Sequence, residues 1–271
     1  MKLAHLSDLH LAPGRMNRCT TPHATLTEDI ERLLDTCDHV VLVGDLFDLL
    51  RPRRVRGWRA ELDALEREAP GLMRALRRAD WVFGNHDVPL AALGTPEERV
   101  FLCAGRGALV THGHQRDPWL KRVWGLSEVA NFTAGWLERA GLSPLAQALG
   151  DVPWLLEDSS RRGARRQLGP ATRTAAYAYD AMCTSGMDIV AFGHTHALGL
   201  LVVPGGLLIN TGSHTCGSRD EVWLDLSTGD VEARRDGHIV GRASRSATGA
   251  WSVEGDPHFV NHLSFQDTGS R

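Results

Sequence analysis

Cysteine is scarce in this sequence and nowhere paired. Cys19, Cys37, Cys103, Cys183 and Cys216 are scattered and odd in number, and none belongs to a C-x-x-C motif. This speaks against a disulfide framework or a zinc knuckle and leads to an expectation of reduced thiols. Long apolar runs are also missing. The longest, Leu198 to Ile209, is split by Pro204-Gly205-Gly206, which reads as a hairpin and falls short of the roughly 20 residues a bilayer span needs. The start, Met1-Lys2-Leu3-Ala4-His5-Leu6-Ser7, turns polar too soon for a secretory signal. A cytoplasmic protein is therefore expected. Surplus positive charge is lacking as well: the net charge of −3 provides no global attraction to nucleic acid, and no specific nucleic-acid binding is expected. No internal repeat is visible.

What the sequence does hold is enough apolar material for a sizeable core. With 271 residues, 42% of them hydrophobic and 23% charged, the chain fits one large domain or a domain carrying an insertion. Lys2–Ser7 reads as a first strand. Leu26, Ile30, Leu33 and Leu34 give Thr25–Cys37 a helical period, with Thr25 or Thr27 as the cap. Val40–Val43 is a continuous β-branched run, and 57–79 is a charged amphipathic helix pattern broken near Pro70-Gly71. Further strands are expected at Trp81-Val82-Phe83, Ala108–Thr111, Ile189–Phe192, Leu207–Asn210, Glu221–Leu226 and Val231–Arg235. Apolar runs alternating with helices predict an α/β fold with a largely buried sheet. Residues 1–114 and 187–240 form the expected core. Residues 115–186 break the rhythm and hold four of the eight tryptophans, so they read as an inserted helical cap; 241–271 reads as a C-terminal tail or an extra strand.

Five strand–loop junctions end in metal-binding residue types: Asp8-Leu9-His10, Gly44-Asp45-Leu46-Phe47-Asp48, Gly84-Asn85-His86-Asp87, His112-Gly113-His114 and Gly193-His194-Thr195-His196. Taken singly, each has a bland reading. Gly-Asn-His-Asp, for example, is also a turn composition. Five in succession, each after a β-like run, point to a hydrolytic metal site on loops beyond strand ends. Carboxylate, imidazole and amide oxygens favour Mn²⁺, Fe²⁺ or Zn²⁺ over an all-thiolate site, with Mn²⁺ the first expectation. Two such ions about 3.5–4 Å apart can activate water and clamp an in-line displacement at phosphorus. Glycines beside the ligands allow sharp turns off the strands.

These motifs, spanning Asp8 to His196, resemble those of the calcineurin-like metallophosphoesterase superfamily: D-x-H, G-D-x-x-D, G-N-H-D/E, a strand-end His-Gly and G-H-x-H. The resemblance implies a four-layer α-β-β-α sandwich and two divalent metal ions. It implies that Asp8, His10, Asp45 and His196 hold one ion and that Asp45, Asn85, His112 and His194 hold the other. It also implies that His86 is the general acid and that Asp48 orients it. His114 contacts substrate, braces a ligand or sits in a solvated loop. Asn210, Gly212, Ser213 and His214, after another strand end, line the site or form a polar turn.

The reaction class that the resemblance implies is phosphodiester or pyrophosphate hydrolysis. Arg51, Arg53, Arg54 and Arg56 follow the second motif, and Arg161, Arg162, Arg165 and Arg166 cluster in the insert. Guanidinium groups bind phosphate in bidentate fashion, so Arg51, Arg161 and Arg165 are candidate substrate contacts; the alternative is a solvated helix face. Trp119, Leu120, Val123, Trp124, Leu126, Val129, Phe132, Trp136 and Leu137 fall near helical spacing. They pack the cap onto the core or form an apolar slot for an acyl chain, with peripheral contact to the inner face of a membrane. D-L-H-L, G-D-L-F-D and the helical insert also resemble the UDP-2,3-diacylglucosamine pyrophosphatases, which implies a phosphorylated small-molecule or lipid-linked nucleotide substrate. His112-Gly113-His114-Gln115 departs from the His-Gly-Asp of that branch. The competing readings are a nuclease or cyclic-nucleotide phosphodiesterase, and an inactive scaffold. The scaffold reading is opposed by the full set of ligand-type residues. Nothing in the sequence sets an oligomeric state.

Overall fold

The computed structural model describes residues 1–54, 57–116, 118–142, 145–146, 173–215 and 217–262; at 116, 118–124, 126–128, 173–174 and 262 only the backbone is described. Two sheets face each other. The first runs β12-β11-β10-β9-β1-β2-β3, with β1 at Lys2–Leu6, β2 at His39–Val43, β3 at Asp80–Val82, β9 at Asp220–Asp225, β10 at Asp230–Arg235, β11 at His238–Arg245 and β12 at Trp251–Gly255. The second runs β13-β7-β8-β6-β5-β4, with β4 at Glu98–Cys103, β5 at Arg106–Thr111, β6 at Ile189–Phe192, β7 at Leu198–Val203, β8 at Gly206–Thr211 and β13 at Val260–His262.

Strand alternation explains the layering. On β1, Leu3 faces the second sheet and packs with Val41, Val43, Val110, Ala191 and Ile209. Ala4 and Leu6 face the other way. They meet α1 (His23–Thr36) through Leu26, Ile30 and Leu33, α2 (Trp58–Glu68) through Leu65, and α3 (Pro70–Leu76) through Leu72 and Leu76. The break between α2 and α3 falls where Pro70 stands, because proline fits a helix start and not its interior. On the second sheet, Leu109, Val190, Leu201 and Leu208 pack outward against Ala175, Ala178, Ala181 and Met182. The order of layers is thus helix, sheet, sheet, helix, the expected sandwich.

Two sequence readings change, and one of two alternatives is selected. The helix carrying Ala175 to Met182 is α5, Arg173–Ser185, an outer layer of the core, so the end of the interval read as a cap, 115–186, belongs to the sandwich. Its period is carried by small alanines, which the apolar pattern passed over. Of the two forms expected for 241–271, a tail or an extra strand, 241–262 takes the second: β11 and β12 extend the first sheet, and β13 pairs with β7 at the edge of the second. Neither Thr25 nor Thr27 caps α1. Pro22 precedes the helix, and the Thr27 hydroxyl donates to the His23 carbonyl within it. A further helix of the insert, α4, spans Pro118–Arg139. Cys19, Cys37, Cys103 and Cys183 are free thiols. Among the described residues, no helix is long and apolar enough to cross a membrane.

His5 is wholly buried in β1 on the face turned to the second sheet, between Val41 and Val222 in register. Burial lowers its pKa to about 4. The unfolded chain takes up this proton near pH 6.5, whereas the native state refuses it until about pH 4. Native stability is therefore favoured above pH 6.5 and lost as pH falls through that window. In urea melts of metal-free protein, the stability difference between His5→Leu and the wild type should widen by about 3 kcal/mol from pH 7 to pH 4. A constant difference across that range would show that His5 does not titrate on unfolding.

Candidate active site

Strands β1, β2 and β3 are mutually parallel, and so are β5, β6 and β8. Their C-terminal ends consequently meet along one rim of the sandwich. The motif loops are joined there backbone to backbone. Asp8 N–H donates to the Gly44 carbonyl (3.1 Å), His10 N–H to that of Asp45 (2.9 Å), and Leu49 N–H to that of His86 (3.0 Å). The Asp87 carboxylate, fully buried, accepts from the Leu46 N–H (2.7 Å) and the Gly84 N–H, pinning the second motif to the third. Burial and then the neighbouring Asp45 raise its pKa to about 7.

Close approach sets the local sequence. Gly44 has φ +78°, and a β-carbon there would lie 2.5 Å from the His112 ring; one on Gly84 would overlap the Asp45 carboxylate. Non-glycine residues rarely adopt positive φ, yet Asp8, His10, Asp45, His194 and His196 all do so, at 47–71°. Strain of this kind, of order 1–3 kcal/mol per residue, persists where surrounding contacts hold side chains in a required place.

Among the described residues three clusters result: Asp8, His10 and His196; Asp45, His112 and His194; and His10, Asp48 and His86. Asp45 Oδ2 stands 3.3 Å from His112 Nε2 and 3.8 Å from His10 Nε2, so one carboxylate lies between the first two clusters. Its Oδ1 accepts the His86 N–H at 2.7 Å. Asn85 Oδ1 is 3.2 Å from His112 Nε2, and Asp8 Oδ1 is 3.3 Å from His196 Nε2. The outer nitrogens are anchored. His112 Nδ1 meets the Val43 carbonyl (2.8 Å), and His196 Nδ1 meets Thr215 Oγ1 (3.0 Å) and Ser213 Oγ (3.2 Å). All seven residues expected to hold metal are thus brought to one rim.

Electrostatics follow from this crowding. Burial alone would raise Asp45, but His112, His86 and His10 hold it well below the usual carboxylate range. Burial opposes protonation of His112, but Asp45 outweighs it and lifts the pKa to about 10. Burial raises Asp8 and lowers His10. Asp8 Oδ1 and His10 Nε2 lie 3.9 Å apart, both buried, and neither meets a hydrogen-bond partner among the described residues. Buried polar atoms are normally satisfied, so this pair calls for a ligand. Oxygen and nitrogen donors at this spacing suit a divalent cation.

Asp48 does more than its motif suggested. Its Oδ1 receives His10 Nδ1 at 2.9 Å and also lies 2.8 Å from His86 Nδ1, outside hydrogen-bond alignment. Burial disfavours the ionised carboxylate, yet His10 and His86 keep it well below the usual range. For His86 burial lowers the pKa, and Asp45 and Asp48 reverse this to a net rise.

The substrate-contact readings fare differently. Arg51 is almost wholly buried and is held by Glu138 (2.9 Å) and Asn131 (3.3 Å) of α4. It anchors that helix and is not free for phosphate, which corrects the sequence reading. His114 is buried beside His112, with ring centroids 5.4 Å apart, so a solvated loop is excluded; burial and then His112 lower its pKa to about 3. Arg56, Arg161 and Arg165 lie outside the described residues, as do the side chains of Trp119 and Trp124. Of the later strand-end residues, Ser213 braces His196. His214 instead bridges Thr21 Oγ1 and the Asp220 carbonyl, a structural role. Sequence reading missed Thr215 and Arg18, whose Nε stands 3.7 Å from Asp48 Oδ2, and gave Asp87, part of the third motif, no role of its own.

A family model described as calcineurin-like phosphoesterase matches residues 1–198, which takes in every motif from Asp8 to His196. The chain belongs to that family. This phosphoesterase is accordingly a metal-dependent phosphoester hydrolase. No curated protein gives a significant match. Among solved structures, it is similar to a conserved protein of Streptococcus pneumoniae TIGR4 described as a predicted phosphoesterase (15% identity, 94% of this chain and 97% of that one, TM-score 0.46). It is also similar to Vps29 of Entamoeba histolytica complexed with zinc (16%, 94% and 97%, 0.46) and to the E. coli phosphoesterase YfcE (14%, 94% and 99%, 0.39).

Proposed function

We propose that this phosphoesterase hydrolyses a phosphodiester or pyrophosphate at a dinuclear centre in which Asp45 is shared. Asp8, His10, Asp45 and His196 would hold one ion, and Asp45, Asn85, His112 and His194 the other, with Mn²⁺ the first expectation and Fe²⁺ or Zn²⁺ the alternatives. The observation that carries this reading is the Asp45 carboxylate standing within 4 Å of His112 on one side and His10 on the other. When bound, divalent ions of this kind lower the pKa of water and neutralise charge at phosphorus. The chain's own residues supply the remaining parts. Asp45 and Asp8 bring negative charge, His10 and His196 present Nε2 because Nδ1 is engaged, and the positive-φ loops keep these atoms converged before substrate arrives.

His86 is the proton donor to the leaving oxygen. With Nδ1 facing Asp48, its Nε2 is the nitrogen left for substrate, and the net upward pKa shift favours the protonated form that an acid needs. His86→Ala should therefore keep its metal but lose on the order of 10²–10⁴ in kcat. Steady-state turnover of bis-p-nitrophenyl phosphate and elemental analysis of the same sample check both halves. Loss of metal would place His86 among the ligands.

The substrate we infer is a nucleotide-linked or lipid-linked pyrophosphate of the UDP-2,3-diacylglucosamine type. Val129 and Trp136 on α4 and the following Leu142 and Leu145 are all about half exposed or more, an apolar stretch suited to acyl chains or to a membrane surface. Hydrolysis of a UDP-diacylglucosamine in mixed micelles, compared with bis-p-nitrophenyl phosphate and plasmid DNA, tests this. Preferential nicking of the plasmid would favour the nuclease reading.

A further inference from the structure

A groove of about 830 Å³ lies beside the candidate active site, between the turn at Gly14–Met16, the loop after Arg51, helix α2 and the end of α4. Its charged lining is unbalanced. Arg15, Arg53, Arg54, Arg67 and Arg139 face three glutamates. Each glutamate is already engaged. Glu61 accepts the Arg53 N–H (2.7 Å), Glu68 the Gly14 N–H (2.8 Å), and Glu138 takes Arg18 (3.0 Å) and Arg51 (2.9 Å). The exposed side chains of Arg15, Arg53, Arg54 and Arg67 pair with no carboxylate among the described residues. Arg139 adds an independent sign: its Nη2 donates to the Arg51 carbonyl and stands 3.6 Å from Glu61, but its Nη1 is buried and meets no hydrogen-bond partner among the described residues. A guanidinium N–H removed from water without an acceptor is costly, and an anion in the groove would satisfy it.

The groove is joined to the site. A small pocket lined by Asp48, Leu49 and Arg51 shares Pro13, Met16, Glu61 and Arg139 with it. Arg18, in contact with both Asp48 and Glu138, stands between the groove and the clustered imidazoles.

We propose that this groove is a second phosphate site, which binds a phosphate of the substrate set apart from the one undergoing hydrolysis. The proposal rests on the phosphoesterase reading and selects, among phosphodiester and pyrophosphate substrates, those that carry a further phosphate; UDP-2,3-diacylglucosamine, whose two phosphates both flank the scissile bond, is not one of them. Two chromogenic substrates share the same scissile bond and differ only in the remote group: thymidine 5′-(p-nitrophenyl phosphate) and its 3′-phosphorylated form. On the Mn²⁺-loaded protein, kcat/KM should be about tenfold higher for the 3′-phosphorylated form, the size expected of charge-assisted contacts at an open groove. The exposed triple variant Arg53→Ser/Arg54→Ser/Arg67→Ser should lose that preference while keeping its kcat/KM on the simple ester. A wild type without preference, or a triple variant that retains it, overturns the proposal. Should neither ester be hydrolysed, the phosphoesterase reading falls, and calorimetry with thymidine 3′,5′-bisphosphate and thymidine 5′-phosphate still decides the groove. Tighter binding of the bisphosphate by the wild type alone supports it, and equal binding of the two overturns it.

Discussion

Removing the Asp45 carboxylate is expected to empty the centre and abolish turnover. Asp45→Ala takes away the one oxygen that stands between His112 (3.3 Å) and His10 (3.8 Å), so under the shared-carboxylate proposal both candidate clusters would lose a ligand in a single change. It also strands the partly buried His86 N–H, which donates to Oδ1 at 2.7 Å, and so invites misfolding. Asp45→Asn is the cleaner variant. It keeps the shape and an acceptor for that N–H, but it lacks the carboxylate charge and cannot bridge two cations as a carboxylate does. The expected loss is at least about 10³ in kcat/KM, from about 4 kcal/mol of lost charge stabilisation. Added Mn²⁺ should raise the melting temperature of the wild type and leave that of Asp45→Asn unchanged. Elemental analysis after dialysis reads the same event directly. An Asp45→Asn protein that kept two ions per chain and normal turnover would sink the shared-carboxylate reading.

The elements that place Asp45 were readable because they are buried on both sides. Val40–Val43, with Val41 and Val43 toward one core and Val40 and Leu42 toward the other, could hardly be anything except an interior strand. The ligands were readable because each motif is short and sits next to such a strand. Elements that bury little were missed. Strand β4 leaves Val100 and Leu102 more than half exposed at a sheet edge, and β11 and β12 carry few large apolar residues. Helix α5 was absorbed into the cap because its buried stripe is mostly alanine. Partnerships between motifs were also hidden. The 38-position separation of His10 and Asp48 is closed by the parallel register of β1 and β2, with Leu6 opposite Leu42, which no local pattern encodes. For the same reason Arg51 read as a phosphate contact. Its partners, Glu138 and Asn131, lie on a helix whose docking depends on the tertiary fold.

The pairing of His10 with Asp48 leads to the second large effect, that of Asp48→Ala. A single Oδ1 lies 2.9 Å from Nδ1 of His10 and 2.8 Å from Nδ1 of His86. Its removal frees the His10 ring to change tautomer, which in braced metal ligands costs about 10–100-fold in affinity. It also removes one of the two carboxylates that lift His86 against burial, so less of that imidazole is protonated at neutral pH. Two deficits are therefore expected, and metal concentration separates them. At limiting Mn²⁺, Asp48→Ala should be the poorer of the two enzymes when compared with His86→Ala. At saturating Mn²⁺ the affinity defect disappears, and what remains should approach the loss of about 10²–10⁴ expected for His86→Ala. Because the remaining deficit runs through His86, the double variant should then be no worse than His86→Ala by more than a few-fold, a strongly non-additive cycle. Full additivity, or wild-type turnover by Asp48→Ala at saturating metal, would mean that Asp48 serves His10 alone and that the acid is held by something else.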